Sequence, residues 1–186
     1  MKLGEVGEFR FPTVRPVRTS GCMLGMRAPK SVHPLLLEPT YWRNRLQGLG
    51  LERTGITAHH RPDLSGKGRE VVEFRMDTPD GARLWGLIAR PAWAQGPRPA
   101  RIRSVGPAER PQLDPDAVEN GYAEIVYQEP AGRRLEDRVM DALRIRRIAA
   151  RSEGVDADQV GFQHLSGGSC PDEVLIAERL LDGRFA

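Results

Sequence analysis

The order of apolar segments over the last third of the chain constrains the fold more than any other feature. Residues 122–127 (YAEIVY) are rich in β-branched and aromatic side chains, as a strand requires. Residues 135–151 follow, with Leu135, Val139, Ala142, Leu143, Ile145, Ile148 and Ala149 at helical spacing and Arg and Asp on the other positions. Gly154 can end that helix. Val160-Gly161-Phe162 is a very short apolar run, Ser166-Gly167-Gly168 comes next, and Asp172 precedes a second helix over 173–181. Upstream, 71–76 alternates apolar and charged residues from Val72 onward, the period of a strand with one buried face. Thr78-Pro79-Asp80-Gly81 is a turn sequence, because Pro presets φ and Gly accepts positive φ. The stretch 82–89 resumes the extended pattern, which makes a β-hairpin. A hairpin followed by strand–helix–strand–helix predicts an α/β fold.

The remaining segments are less regular. Pro12, Pro16, Pro29, Pro34 and Pro39 interrupt any helix in residues 1–40, which read as an irregular arm. Thr40 can cap a short helix over 41–49, with Tyr41, Trp42, Leu46 and Leu49 on one stripe. Residues 54–68 are polar and punctuated by glycine, so a loop is expected. Residues 100–105 suggest a short strand, although Arg101 and Arg103 make it a poor buried one. Residues 117–120 read as a helix end that stops at Gly121.

Composition narrows the classes. The chain has 186 residues, 39% hydrophobic and 28% charged, which suits a globular domain with or without an arm. No apolar run nears the roughly 20 residues of a membrane span. The patch Cys22-Met23-Leu24 is too short for a signal-peptide core. Cys22 and Cys170 cannot make a disulfide framework or a four-cysteine zinc site, so the expected location is cytoplasmic. Of 28 basic residues only Lys2, Lys30 and Lys67 are lysines. Residues 1–93 hold 15 basic and 9 acidic side chains, against 13 and 16 in 94–186. The arginines are scattered singly between prolines and apolar residues, which argues against nucleic acid as the partner.

The strongest chemical candidate is the turn after Phe162. A short strand, a serine among glycines and then a helix is the layout of a nucleophile elbow, where the hydroxyl is exposed on a sharp turn. Gly168 supplies the second glycine of that pattern, but His164 stands at the first. The same stretch therefore also reads as a glycine-rich connection with no chemistry. His164 is two residues from Ser166, and side chains so placed across a turn seldom face each other, so a solvated or partly packed histidine is the expectation. His59 and His60 are adjacent in a loop and diverge, which disfavours a metal site. Cys170 starts a helix, and a small half-buried thiol is its simplest reading. Trp42, Trp85 and Trp93 read as core or hairpin-packing residues. Arg133, Arg134 and Arg144 to Arg147 read as a solvated helix face.

Residues 71–91 (VVEFRMDTPDGARLWGLIARP), 121–127 (GYAEIVY), 135–168 and 178–186 (ERLLDGRFA) together resemble the acetyl xylan esterase / cephalosporin C deacetylase family of α/β-hydrolases. The resemblance lies in collinear order: opening hairpin, core strand, helix, Val-Asp loop, strand, serine turn, then helix. YWRNRL resembles the family's aromatic helix near the N-terminus. It implies a partial α/β-hydrolase-like sheet with an N-terminal β-hairpin and flanking helices, divided as an arm over 1–40 and a truncated domain over 41–186. Ser166 falls on the family's nucleophile, and Gly167 on the backbone N–H that follows it in the oxyanion hole. The implied activity is carboxylic ester hydrolysis on acetylated sugars or small acetyl esters, with no cofactor and no metal. Several positions depart from the family. Val105-Gly106-Pro107 replaces a His-Gly-aromatic motif, and Pro107 has no N–H to donate. Gln128-Glu129-Pro130-Ala131 replaces an Asp-x-Arg-Gly stretch. The triad Asp and His follow later strands in the family, beyond Ala186. A catalytically incomplete serine esterase is therefore expected. The alternative is a non-catalytic binding or assembly module derived from an esterase, in which an open sheet edge would favour a homo-oligomer.

Overall fold

The computed structural model describes residues 41–42, 55–66, 68–163 and 172–181. Six strands form one mixed sheet: β1 (Ile56–His60), β2 (Arg69–Asp77), β3 (Arg83–Pro91), β4 (Arg98–Val105), β5 (Ala123–Gln128) and β6 (Val155–Phe162). Their spatial order is β1-β2-β3-β5-β4-β6. The first three strands and β5 pair antiparallel, whereas β5, β4 and β6 run parallel. Parallel neighbours need crossovers, and these carry α1 (Pro115–Glu119) between β4 and β5 and α2 (Leu135–Arg151) between β5 and β6. A further helix, α3 (Asp172–Leu181), follows β6. The expected α/β fold with an opening hairpin is observed.

Alternation along the strands divides the sheet into two faces. Phe74, Met76, Leu84, Ala100, Ile102, Ala123, Ile125 and Tyr127 face α2 and cluster with its Ile145, Ile148 and Ala149. Burying a large apolar side chain stabilises a fold by about 1.5–3 kcal/mol, so this layer is the main source of stability. Gly86 belongs to it by necessity. A Cβ there would lie 2.3 Å from the Val126 carbonyl oxygen and 2.8 Å from the Phe74 ring. On the opposite face Val71, Leu87, Ala89 and Val126 pack with Val118 of α1. Asp114 caps α1 by accepting a hydrogen bond from the Asp116 amide at 3.0 Å, and Gly121 reverses the chain at φ 84°. A third cluster joins Trp42 to Val139, Met140, Ala142 and Leu143 of α2 and to Ile176 and Ala177 of α3. Trp42 is thus core, as expected, and the rest of the short helix expected over 41–49 lies outside the described residues. So does the arm over 1–40.

Five expectations are corrected. Residues 54–68 are not all loop: 56–60 form β1, an edge strand exposed on both sides and paired with β2. Residues 98–105 are not a marginal strand but the middle of the parallel set, between β5 and β6. The strand tolerates its arginines because each is partnered. Arg101 lies over the Tyr122 ring at 3.7 Å, and Arg103 pairs at 3.0 Å with the fully buried Glu124. The strand before the serine turn starts at Val155 rather than Val160, because Val155 pairs with Arg98 and residues 156–159 bulge out before Val160 pairs with Ala100. Finally, Arg133 and Arg144 are not solvated. Their guanidinium groups close on the buried Asp141, at 2.7 Å and 2.8 Å, while Arg134 is exposed as expected. Trp93 is also exposed, with the Arg98 guanidinium 5.5 Å from its ring centre, rather than packed in a core.

Candidate active site

The site is set by where the connections diverge. From β4 the chain passes to α1 on one face of the sheet; from β6 it passes to α3, which packs against α2 on the other. Adjacent parallel strands whose connections leave toward opposite faces open a crevice at their carboxyl ends, where open α/β sheets bind ligands. By that rule the crevice falls between Val105, Gly106 and Pro107 after β4 and Phe162 and Gln163 at the end of β6. Ser166 and Gly167, with His164 and Cys170, lie outside the described residues. The described chain reaches Gln163, three residues before the serine.

The walls of the crevice are held by hydrogen bonds that continue the sheet. The Gln163 amide donates to the Ile102 carbonyl at 2.8 Å, and the Glu129 amide donates to the Val105 carbonyl at 3.0 Å. The Gln163 side-chain Oε1 is buried and has no hydrogen-bond partner among the described residues. Glu129 pairs with Arg138 of α2 at 3.8 Å, which ties the end of β5 to the first turns of that helix.

Gln128 organises the loop after β4. Its Oε1 accepts from the Trp85 indole N–H on β3. Its amide nitrogen donates to the Pro107 carbonyl at 3.0 Å and to the Glu109 carbonyl at 2.6 Å. The Glu109 amide in turn closes a tight turn on the Gly106 carbonyl at 3.0 Å. Sequence reasoning registered Gln128 only as part of a departure from a family stretch. Its partner is set by strand register, which places Gln128 opposite Trp85. Val105 has its carbonyl engaged by Glu129, and Pro107 brings no N–H to the crevice.

A second set of charges anchors the loop from β5 into α2. Arg133 bridges Asp141 on that helix and Asp80 in the β2–β3 turn, and the Thr78 hydroxyl donates to Asp80. Burial works against ionisation of Asp80, but the Thr78 hydroxyl and the Arg133 guanidinium outweigh it and hold the carboxyl at about 2. Burial pushes the Asp141 carboxyl up despite its two arginines. It does the same to Glu124, against the opposing pull of Arg103 and the Asp114 amide.

The described histidines, His59 and His60, sit on the exposed edge strand β1, across β2, β3 and β5 from β4. No group of three or more His, Cys, Asp or Glu side chains with metal-binding geometry exists among the described residues. No helix among them is long and apolar enough to cross a membrane.

No family model matches this sequence, and no curated protein does. Solved structures do match its fold. An acetyl xylan esterase from Thermoanaerobacterium superposes with a TM-score of 0.60 at 17% identity, covering 78% of this chain and 54% of that one. An acetyl xylan esterase from Paenibacillus gives a TM-score of 0.55 at 14% identity, over 67% of this chain and 50% of that one. A glucuronoyl esterase from Teredinibacter turnerae gives 0.50 at 14% identity, over 84% and 55%. This chain spans about half the length of the structures it matches. The fold of this chain is similar to that of these acetyl xylan and glucuronoyl esterases.

Proposed function

We propose that this chain carries an esterase-type site for acetylated sugars or small acetyl esters, with Ser166 in the nucleophile position and the Gly167 amide as one oxyanion donor, and that this site is catalytically incomplete. The observation that carries the reading is the parallel pairing of β4 and β6, whose following helices pack on opposite faces of the sheet. In the sequence Ser166 comes four residues after Phe162, the last residue of β6, which is the order a nucleophile elbow has. Two features of the described residues support incompleteness. Pro107 offers no donor for an oxyanion, and the described histidines stand at the far edge of the sheet.

Hydrolysis of a chromogenic acetate by the protein and by Ser166→Ala tests the proposal. Equal rates are expected, together with measurable binding of an acetylated xylo-oligosaccharide that weakens when the acetyl groups are removed. Turnover thousands of times above the variant would contradict incompleteness and establish a working serine esterase. Absence of both turnover and acetyl-dependent binding would overturn the esterase reading and leave an assembly module as the account.

A further inference from the structure

An open cleft of about 410 Å³ lies on the α1 face of the sheet, beyond the apolar patch around Val118, and is lined by Arg61, Glu73, Arg75, Arg83, Trp85 and Arg110. We infer that this cleft is a binding site for a singly charged carboxylated sugar of the uronic-acid class. The inference goes beyond the ester-hydrolase reading, because binding there needs neither Ser166 nor hydrolysis.

Charge sets the valence of the ligand. Four guanidinium groups are gathered at the cleft, and three carboxylates answer them: Glu73 bridges Arg61 and Arg75, Asp63 pairs with Arg61, and Asp77 pairs with Arg83. One positive charge is left over, which a monoanion neutralises and a polyphosphate would overshoot. Arg110 makes no ion pair among the described residues. It projects from the loop that Gln128 clamps, so its backbone is positioned while its guanidinium stays exposed. Guanidinium forks match carboxylates in bidentate geometry.

Trp85 sets the shape. Its indole N–H is spent on Gln128, so the half-buried ring offers the cleft a flat apolar surface rather than a donor. A pyranose lays its C–H face on such a ring and keeps its hydroxyls toward water and the surrounding arginines. The openness of the cleft favours that arrangement over a fully apolar ring, which gains most from enclosure.

Calorimetric titration with sodium glucuronate, glucose, benzoate and inorganic phosphate tests the inference. Glucuronate should bind, quenching tryptophan fluorescence in the native protein but not in Trp85→Phe, while glucose binds at least about tenfold more weakly for want of its carboxylate. Arg110→Ala breaks no internal pair, so its fold is expected intact, and it should weaken glucuronate by about the same factor. Glucose or phosphate binding as well as glucuronate, benzoate binding more tightly, or an unchanged affinity in Arg110→Ala would each overturn the inference. Glucuronate binding is unaffected by Ser166→Ala in this account, so failure here and failure of the esterase reading are separate results.

Discussion

The two faces of the sheet alternate along the same strands, yet they are built on different principles. Toward α2, β2 to β5 present Phe74, Met76, Leu84, Ile102, Ile125 and Tyr127, every one fully buried. Toward α1 the intervening positions present Glu73, Trp85, Arg101, Arg103, Glu124 and Gln128, interleaved with a smaller apolar patch. The first face supplies stability through dispersion and desolvation. The second fixes loops and places charge, and Glu73, Trp85, Arg101, Arg103, Glu124 and Gln128 are each kept by a named partner. The functional features gather on the second face and at the strand ends, where polar side chains can be both held and reached.

The largest test of that division is Phe74→Ala. Removing the ring from beneath α2 should cost about 3–5 kcal/mol in urea unfolding. A loss under about 1 kcal/mol would mean that this face is not the main source of stability. On the other face, Glu124→Ala strands Arg103 and the Asp114 amide and should cost about 2 kcal/mol. Replacing both members, Glu124→Leu with Arg103→Met, should recover the part due to Arg103 and leave only the cost of the unpaired Asp114 amide, because an apolar pair needs no desolvated charge. A double variant as unstable as the single would show that the pair does more than satisfy itself.

A smaller effect concerns acid. The Asp80 carboxyl is held at about 2 in the fold, below its usual 3.8. Its contribution is fully present above about pH 4 and is lost as the pH falls toward 2. Solvent screening keeps the effect small, since this side chain is 47% exposed. Asp80→Asn should therefore be less stable than the native chain at neutral pH and should flatten the acid limb between pH 4 and 2. An unchanged limb would place the acid sensitivity elsewhere. Smallest of all is Arg83→Ala. Its pair with Asp77 joins two exposed side chains, so thermal unfolding should show no measurable shift.

The same division explains what the sequence disclosed. The hairpin was legible because Phe74 and Met76 alternate with charge, and α2 because its apolar positions recur at helical spacing and its bounds fall at Leu135 and Arg151. The central strand β4 was not, since Arg101 and Arg103 look solvated until Tyr122 and Glu124 are brought beside them from a strand twenty residues on. Edge strand β1 carries no apolar alternation, having no buried side. Arg133 and Arg144 read as solvated because charge patterning along a helix cannot reveal that both close on the buried Asp141. At the site, the strand that leads toward Ser166 could be anticipated from the apolar run ending at Phe162. The Gln128 clamp could not, because it depends on register: Trp85 stands opposite Gln128 only once β3 and β5 are paired.

The crevice itself is the central claim, and an amide NMR titration with acetylated xylo-oligosaccharide addresses it most directly. The account predicts that shifts concentrate at Gly106, Ala108 and Gln163, at the ends of β4 and β6, and diminish when the acetyl groups are removed. Shifts confined to other parts of the sheet, or identical shifts with and without acetyl groups, would contradict it.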